Sequence, residues 1–516
     1  MENKRGSWAS NFGFLMAAIG SAVGLGNIWG FPYKMGKSGG FTFLIVYLLL
    51  GLFVGLIIMV SELALGRMTR KSPIDAYKMV SKKFGWIGWL AVFAPFVIMS
   101  FYSVLGGYVL QYMSLNLAEL AFGLSEIFGT AVTGTATFGA MLGNPFGMVM
   151  FTVAFMVICM VIVMDGISGG IEKFNKIGMP ALFFMLIVVI VKAWTLPNSI
   201  EGLKFMFVPG YAVTAGFIDE APDLITVLGT AGGQMFFSLS LAMGAMITYG
   251  SYLDKGENLL KNSAIIVVCD TIVALMAGLA VIPAAVANGI NSGVAVSDIS
   301  LGGPKLLFVT LQDVFSNMGA VGPLFGIIFY TLVLIAAISS AISLMEVLAT
   351  YFIDKKMEKG IEPDRKRITL RISIAITVLA ALVAADGLGS NGFAPADLLG
   401  IPVTADWHAD WLDFMDCWSE GIAMPVGAML MALMIGGELK PSFTLNEIHN
   451  GCKAGWFDVF YKICITVIVP VVMAFVLAGQ IITFFGAGAS TFAYIISGVL
   501  LAVFAVIAYL VKGKKA

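Results

Sequence analysis

Along this chain, apolar runs long enough to cross a bilayer alternate with short polar segments. The runs lie near 11-36, 41-67, 87-116, 145-164, 168-194, 222-253, 258-289, 319-354, 367-386, 411-436, 455-480 and 487-511. Each meets the roughly twenty residues that a hydrocarbon core of about 30 Å requires, so the pattern predicts an all-α integral membrane protein of about twelve spans. The first run is interrupted at its centre by Gly20-Ser21-Ala22-Val23-Gly24-Leu25-Gly26-Asn27. Each glycine there weakens a helix by about 1 kcal/mol relative to alanine, and backbone groups freed at membrane depth persist only where something else satisfies them. The expected result is a broken helix lining a cavity that has a polar occupant.

The sixth run repeats the pattern, mixing glycines and hydroxyls into an apolar stretch from Gly232 to Gly244. Corresponding interruptions in two halves point to an inverted-repeat secondary transporter with its site where the breaks meet. The implied organisation is 1-194 as a first five-helix repeat, 222-436 as a second, inverted repeat, and 437-516 as two additional C-terminal helices. Half-helix N-termini offer N–H groups to an anion and unwound carbonyls suit a cation. A zwitterion beside a metal ion is the expected pair of ligands.

Composition agrees and narrows the class. The chain is 59% hydrophobic and 12% charged, with formal net charge −1 and mean hydropathy +0.95, so neither a soluble domain nor a nucleic-acid surface is expected. Lys4 and Arg5, the cluster from Arg67 to Lys83, Lys255 and Lys261, the cluster from Lys355 to Arg367, and Lys512 to Lys515 fall on one side of the predicted spans, whereas the opposite connections near 117-144, 195-221, 290-318 and 387-410 carry only Lys204 and Lys305. That bias predicts a multi-pass protein of the cell's inner (plasma) membrane with both termini cytoplasmic. The first run lacks a small-residue cleavage site after it and reads as a transmembrane helix rather than a removable signal. Cys159, Cys269, Cys417, Cys452 and Cys464 form no disulfide framework and are expected as free thiols. The Gly/Thr-rich stretch from Gly129 to Thr137 reads as an extracellular loop.

Trp8, the run Ser21 to Asn27, Phe31-Pro32-Tyr33, Gly39-Gly40, Glu62 with Gly66-Arg67, Gly166 to Lys173, and Gln234 through Tyr252 together resemble the neurotransmitter:sodium symporter family, in its bacterial amino-acid transporter branch. The resemblance implies sodium-coupled uptake by alternating access, with sodium ions at two sites and no organic cofactor. The first site would use the Ala22 carbonyl, Asn27, Ser238, Asp270 and the substrate's own carboxylate. Much of the family has asparagine where Asp270 stands, and animal members need chloride nearby; Asp270 supplies that negative charge here, so chloride-independent transport is expected. An intramembrane carboxylate is in any case a functional residue by default. The second site would use the carbonyls of Gly20, Val23 and Ala336 with the hydroxyls of Ser339 and Ser340, an all-oxygen set suited to a small hard cation.

The same resemblance places a substrate pocket. Monoamine carriers of the family have aspartate where this chain has Gly24, which leaves room for a carboxylate on the substrate and favours an amino acid. Its carboxylate would meet the N–H groups of Leu25 and Gly26 and the Tyr102 hydroxyl, and its ammonium the carbonyls near Ala22, Phe237 and Ser240. Ile98, Phe237, Met243, Ala341 and Leu344 would surround a neutral, hydrophobic side chain, whose burial contributes about 1.5–3 kcal/mol. At the outer gate the family's Trp-Arg-Phe-Pro reads Trp29-Gly30-Phe31-Pro32. With Gln234 and Asp416 retained, Lys34, with Lys37 as the alternative, is expected to reach Asp416 in place of the missing arginine. Arg5, Trp8, Tyr252 and Asp354 match the cytoplasmic latch. Glu62 is expected to have a structural hydrogen-bonding role among packing glycines, away from the breaks.

Other classes fit less well. An intramembrane aspartyl protease needs two facing carboxylates, and Asp270 alone lies deep, with Asp416 near the outer end, so no enzyme is expected. A receptor-like or channel-like protein that binds amino acid without coupled transport shares the same site and stays open as an alternative.

Overall fold

Ser10 starts the first helix by accepting a hydrogen bond from the Gly13 N–H at 3.0 Å, a capping role that hydroxyl side chains fill well. The computed structural model describes residues 7–485 apart from 124–125, 128–129, 132–133, 300, 302, 401–408 and 452–454. Arg5, Cys452 and the run expected at 487-511 lie outside the described residues.

The described chain is almost wholly helical. Helix α1 (Asn11–Ala22) and helix α2 (Gly26–Lys37) form one span bent by 44° at the expected glycine-rich break. Continuous spans follow as α3 (Phe41–Thr69), α4 (Ile87–Phe122), α5 (Pro145–Met164) and α6 (Ile167–Trp194). The sixth expected span is split into α7 (Leu224–Ser238) and α8 (Ala245–Gly250). Then come α9 (Leu259–Asn291), α10 (Gly319–Glu358), α11 (Arg365–Asp386), α12 (Trp411–Leu439) and α13 (Gly455–Phe485). Among the described residues nine helices are long and apolar enough to cross a membrane, ten with the bent pair.

The two breaks are built differently. In the first, the Asn27 side chain turns back to accept from the Gly24 N–H at 3.0 Å, which satisfies a backbone donor that the helix has released. In the second, Ser240, Ala242 and Gly244 all have positive φ, at 52°, 59° and 73°. For the two non-glycine residues such backbone costs on the order of 1–3 kcal/mol each and needs external support. Ala242 N–H donates to Glu62 at 2.8 Å, and Ser240 Oγ donates to the Ser21 carbonyl at 2.7 Å. Glu62 therefore has the expected structural role, but at the break itself rather than away from it.

The connection between α4 and α5 departs from expectation. Residues Gly134–Leu142 form a helix, preceded by a two-residue antiparallel pairing of Glu126–Ile127 with Thr130–Ala131. Glycines and threonines do not favour this locally; the helix is started from afar, by Asp313 accepting from the Gly134 N–H at 2.7 Å. Phe138 then stacks on Phe308 with ring centroids 6.3 Å apart. Cys159, Cys269, Cys417 and Cys464 are free thiols.

Candidate functional site

The breaks of α1/α2 and α7/α8 meet around a small cavity with about 10 Å³ of free volume, roughly the space of one water molecule. Its walls include Ala22, Gly24, Gly26, Ile98, Tyr102, Phe237, Ser240, Met243 and Leu344 from the predicted set, with Ser21 and Ser340 added. Ala341 is buried nearby in α10 without lining it, and Ser238 turns to Asp270 instead. The Leu25 N–H donates to the Tyr102 hydroxyl at 3.1 Å, so two groups expected to hold a carboxylate already face one another. Gly24 closes the floor: a Cβ there would stand 2.2 Å from Ser340 Oγ and 2.9 Å from the Tyr102 hydroxyl. Two hydrogen bonds cross between the broken helices on either side of the cavity, Gln234 Nε2 to the Gly26 carbonyl at 2.6 Å and Ser240 Oγ to the Ser21 carbonyl at 2.7 Å.

Beside the cavity Asp270 is wholly buried. Its carboxylate accepts from Asn27 Nδ2 at 2.7 Å, from Ser238 Oγ at 3.0 Å and from the Tyr47 hydroxyl at 3.2 Å. Asn27, Ser238 and Asp270 are thus brought together, and Ala22 lies against the same cavity. Tyr47 escaped the sequence reading, since a phenol inside the apolar run of α3 carries no distinguishing signal. Three neutral donors leave the carboxylate's charge uncancelled, and a buried charge of that kind calls for a cation.

A second oxygen cluster joins α1 to α10. Ser339 Oγ donates to the carbonyls of Ala336 at 2.8 Å and Val23 at 3.3 Å. Ser340 Oγ lies 3.4 Å from the Gly20 carbonyl and 3.0 Å from that of Ser21. The five predicted oxygens therefore fall into two groups that meet at the neighbouring residues Ser339 and Ser340: Val23, Ala336 and Ser339 in one, Gly20 and Ser340 in the other. Among the described residues no group of three or more His, Cys, Asp or Glu side chains could hold a metal ion. Carbonyls and hydroxyls with one carboxylate fit a hard alkali cation, whereas thiolates and imidazoles suit softer metals.

The gates differ from expectation. Lys34 pairs with Glu420, not Asp416. The chain from Cys417 to Ala423 winds as a π-helical turn, which alters the face presented after Asp416. Gly233 on α7 leaves the slot that receives the carboxylate, for a Cβ there would stand 2.5 Å from Glu420 Oε1. On the other side Trp8 Nε1 donates to the Tyr249 carbonyl at 3.1 Å, and its ring meets Tyr249 and Tyr252 edge-on. Asp354 accepts from the Ser72 N–H at 2.7 Å. Tyr252 donates to Glu346 at 2.8 Å, and Glu346 pairs with Arg365. Sequence reasoning missed both Glu346 and Arg365.

Residues 5–126 and 141–512 match the model of the Sodium:neurotransmitter symporter family. The chain belongs to that family. An uncharacterised sodium-dependent transporter of Bacillus subtilis is 34% identical to the symporter over 92% of this chain and 98% of its own. One from Haemophilus influenzae is 32% identical over 89% and 94% of the two chains. The sodium- and chloride-dependent glycine transporter 1 of Xenopus laevis is 23% identical over 93% of this chain and 79% of its own. The crystal structure of MhsT in complex with L-phenylalanine superposes with a TM-score of 0.78 at 32% identity, covering 92% of this chain and 100% of that one. The symporter is a multi-pass membrane protein of a sodium-coupled family.

Proposed function

We propose that this symporter takes up a neutral, hydrophobic amino acid by alternating access, driven by sodium bound at two sites and independent of chloride. The reading rests on one arrangement: a small cavity walled by apolar side chains and broken-helix backbone, flanked on one side by Asp270 with Asn27 and Ser238 and on the other by the five-oxygen cluster. Among the described residues no Asp, Glu, Lys, Arg or His side chain lines the cavity, which favours a substrate whose own ammonium and carboxylate cancel. The L-phenylalanine in the MhsT structure supports an apolar amino acid. Asp270 supports chloride independence, because it carries a fixed negative charge beside the first sodium.

The same reading includes twelve spans in a five-plus-five inverted repeat with two further helices, both termini cytoplasmic in the inner membrane, no organic cofactor and no enzymatic activity. During transport the substrate carboxylate completes the first sodium site, which couples ion to substrate. Sodium at the second site ties α1 to α10, and its loss frees them to separate. Radiolabelled neutral amino acids offered to proteoliposomes under an imposed sodium gradient test the proposal. Accumulation is expected with or without chloride. Binding without sodium-driven accumulation would favour the receptor-like or channel-like alternative.

A further inference from the structure

We infer that Asn175 of α6 supplies a sixth oxygen to the sodium held between α1 and α10. The inference rests on the second sodium site proposed above. Asn175 is completely buried. Its Nδ2 donates to the Ile171 carbonyl at 2.9 Å, while its Oδ1 has no hydrogen-bond partner among the described residues. An amide acceptor shut away from water without a partner is uncommon in a folded protein and calls for an explanation.

The position of that oxygen provides one. It lies 2.0 Å from the point where a Cβ on Gly20 would stand, and Ser339 Cβ lies 3.2 Å from the same point. The bare α-carbon of Gly20 thus makes room for the amide, on the flank of the cluster where Gly20 offers its carbonyl and Ser339 its hydroxyl. A neutral amide oxygen is a donor of the kind hard cations prefer. Helix α6 packs against both α1 and α10, so an oxygen from it closes the side of the site that those two helices leave uncovered. The opposite end of the amide holds the last carbonyl of the irregular turn Ile167–Ile171. One side chain therefore joins the cation to the segment where α6 begins.

The alternative is that Asn175 only ties down that turn, and the two roles use different atoms. Asparagine to aspartate keeps an oxygen for the ion and loses the donor to Ile171; alanine loses both. The test is sodium protection of the purified full chain against thermal unfolding, without amino acid, at ionic strength held constant by N-methylglucamine. Asn175→Ala is expected to raise half-saturating sodium roughly ten-fold or more, the order that losing a supporting ligand costs, with Asn175→Asp within about three-fold of the parent or tighter. If both variants weaken sodium alike, the hydrogen bond to Ile171 is the whole role and the proposal fails; if alanine leaves sodium binding unmoved, it fails as well. Asn175→Thr, too short to reach the ion, replaces alanine where that variant does not purify. The double variant Ser339→Ala with Ser340→Ala tests the site itself: sodium protection that survives it would overturn the second site, whatever Asn175 does.

Discussion

Replacing Glu420 by glutamine removes the charge that faces Lys34 without changing side-chain size. The two side chains are only 13% and 5% exposed, so this pair is not the surface kind worth about 0–1 kcal/mol. Breaking a buried pair by neutralising one member costs about 3–5 kcal/mol, because the other charge is left uncompensated. Here the lysine keeps a fallback in half-buried Asp416, four residues earlier on the same helix, and partial solvent access, so about 2 kcal/mol is a fair expectation. If the pair forms as the outer side closes, that sum lowers the closed population about 30-fold, at 1.4 kcal/mol per factor of ten. Uptake into proteoliposomes should fall by a comparable factor, while sodium-dependent substrate binding to purified protein is retained, since the pair touches neither oxygen cluster. The double variant Lys34→Met with Glu420→Leu should transport better than Glu420→Gln alone, because it leaves no unpaired charge. Asp416→Asn should do less harm than Glu420→Gln. Unchanged uptake in Lys34→Ala and Glu420→Gln, or a larger defect in Asp416→Asn, would refute the reasoning.

Three further outcomes follow from the site. Asp270→Asn should weaken sodium activation of uptake by roughly ten-fold or more and make transport respond to chloride; sodium curves recorded in chloride and in gluconate read both effects, and an unaltered curve would remove Asp270 from the site. Gly24→Ala places a methyl 2.2 Å from Ser340 Oγ and should cost about 1–3 kcal/mol of strain, seen as loss of amino-acid binding by an otherwise folded protein. Glu62→Ala strands the Ala242 N–H in the second break and should lower the unfolding midpoint by the equivalent of about 1–3 kcal/mol, whereas Glu62→Gln, which still offers an acceptor, should be milder.

Much of this architecture was legible because membrane spans are written in composition and helix breaks in glycine. Runs of apolar residues located α3 to α6 and α9 to α13 to within a few residues, and the glycines at 20, 24 and 26 marked the first break. The residues that meet the cavity were legible through family resemblance more than through physics, since neither Ser339 nor Met243 announces its role. What stayed hidden depends on distant parts of the chain. Nothing near Gly134 reports that Asp313 will start a helix there, and a π turn that favours Glu420 over Asp416 leaves no mark in a hydrophobic pattern. Tyr47 and Asn175 were invisible for other reasons: Tyr47 sits in an unremarkable apolar run, Asn175 among the charges of Glu172, Lys173 and Lys176, and only the buried charge or the missing side chain of a neighbour singles them out.

The two hydrogen bonds that cross between the broken helices bear on how well the membrane holds its gradient. One spans each side of the cavity, Gln234 to Gly26 and Ser240 to Ser21. Parting the helices on a single side sacrifices one of them, but a through-pore requires losing both at once. At a net worth of about 1 kcal/mol each, the doubly parted form is disfavoured by about 2 kcal/mol from these bonds alone, roughly 30-fold in population. Insulation against sodium leak is in that sense a property of two neutral side chains, Gln234 and Ser240, bound to backbone carbonyls at the first break, and it needs no charged pair.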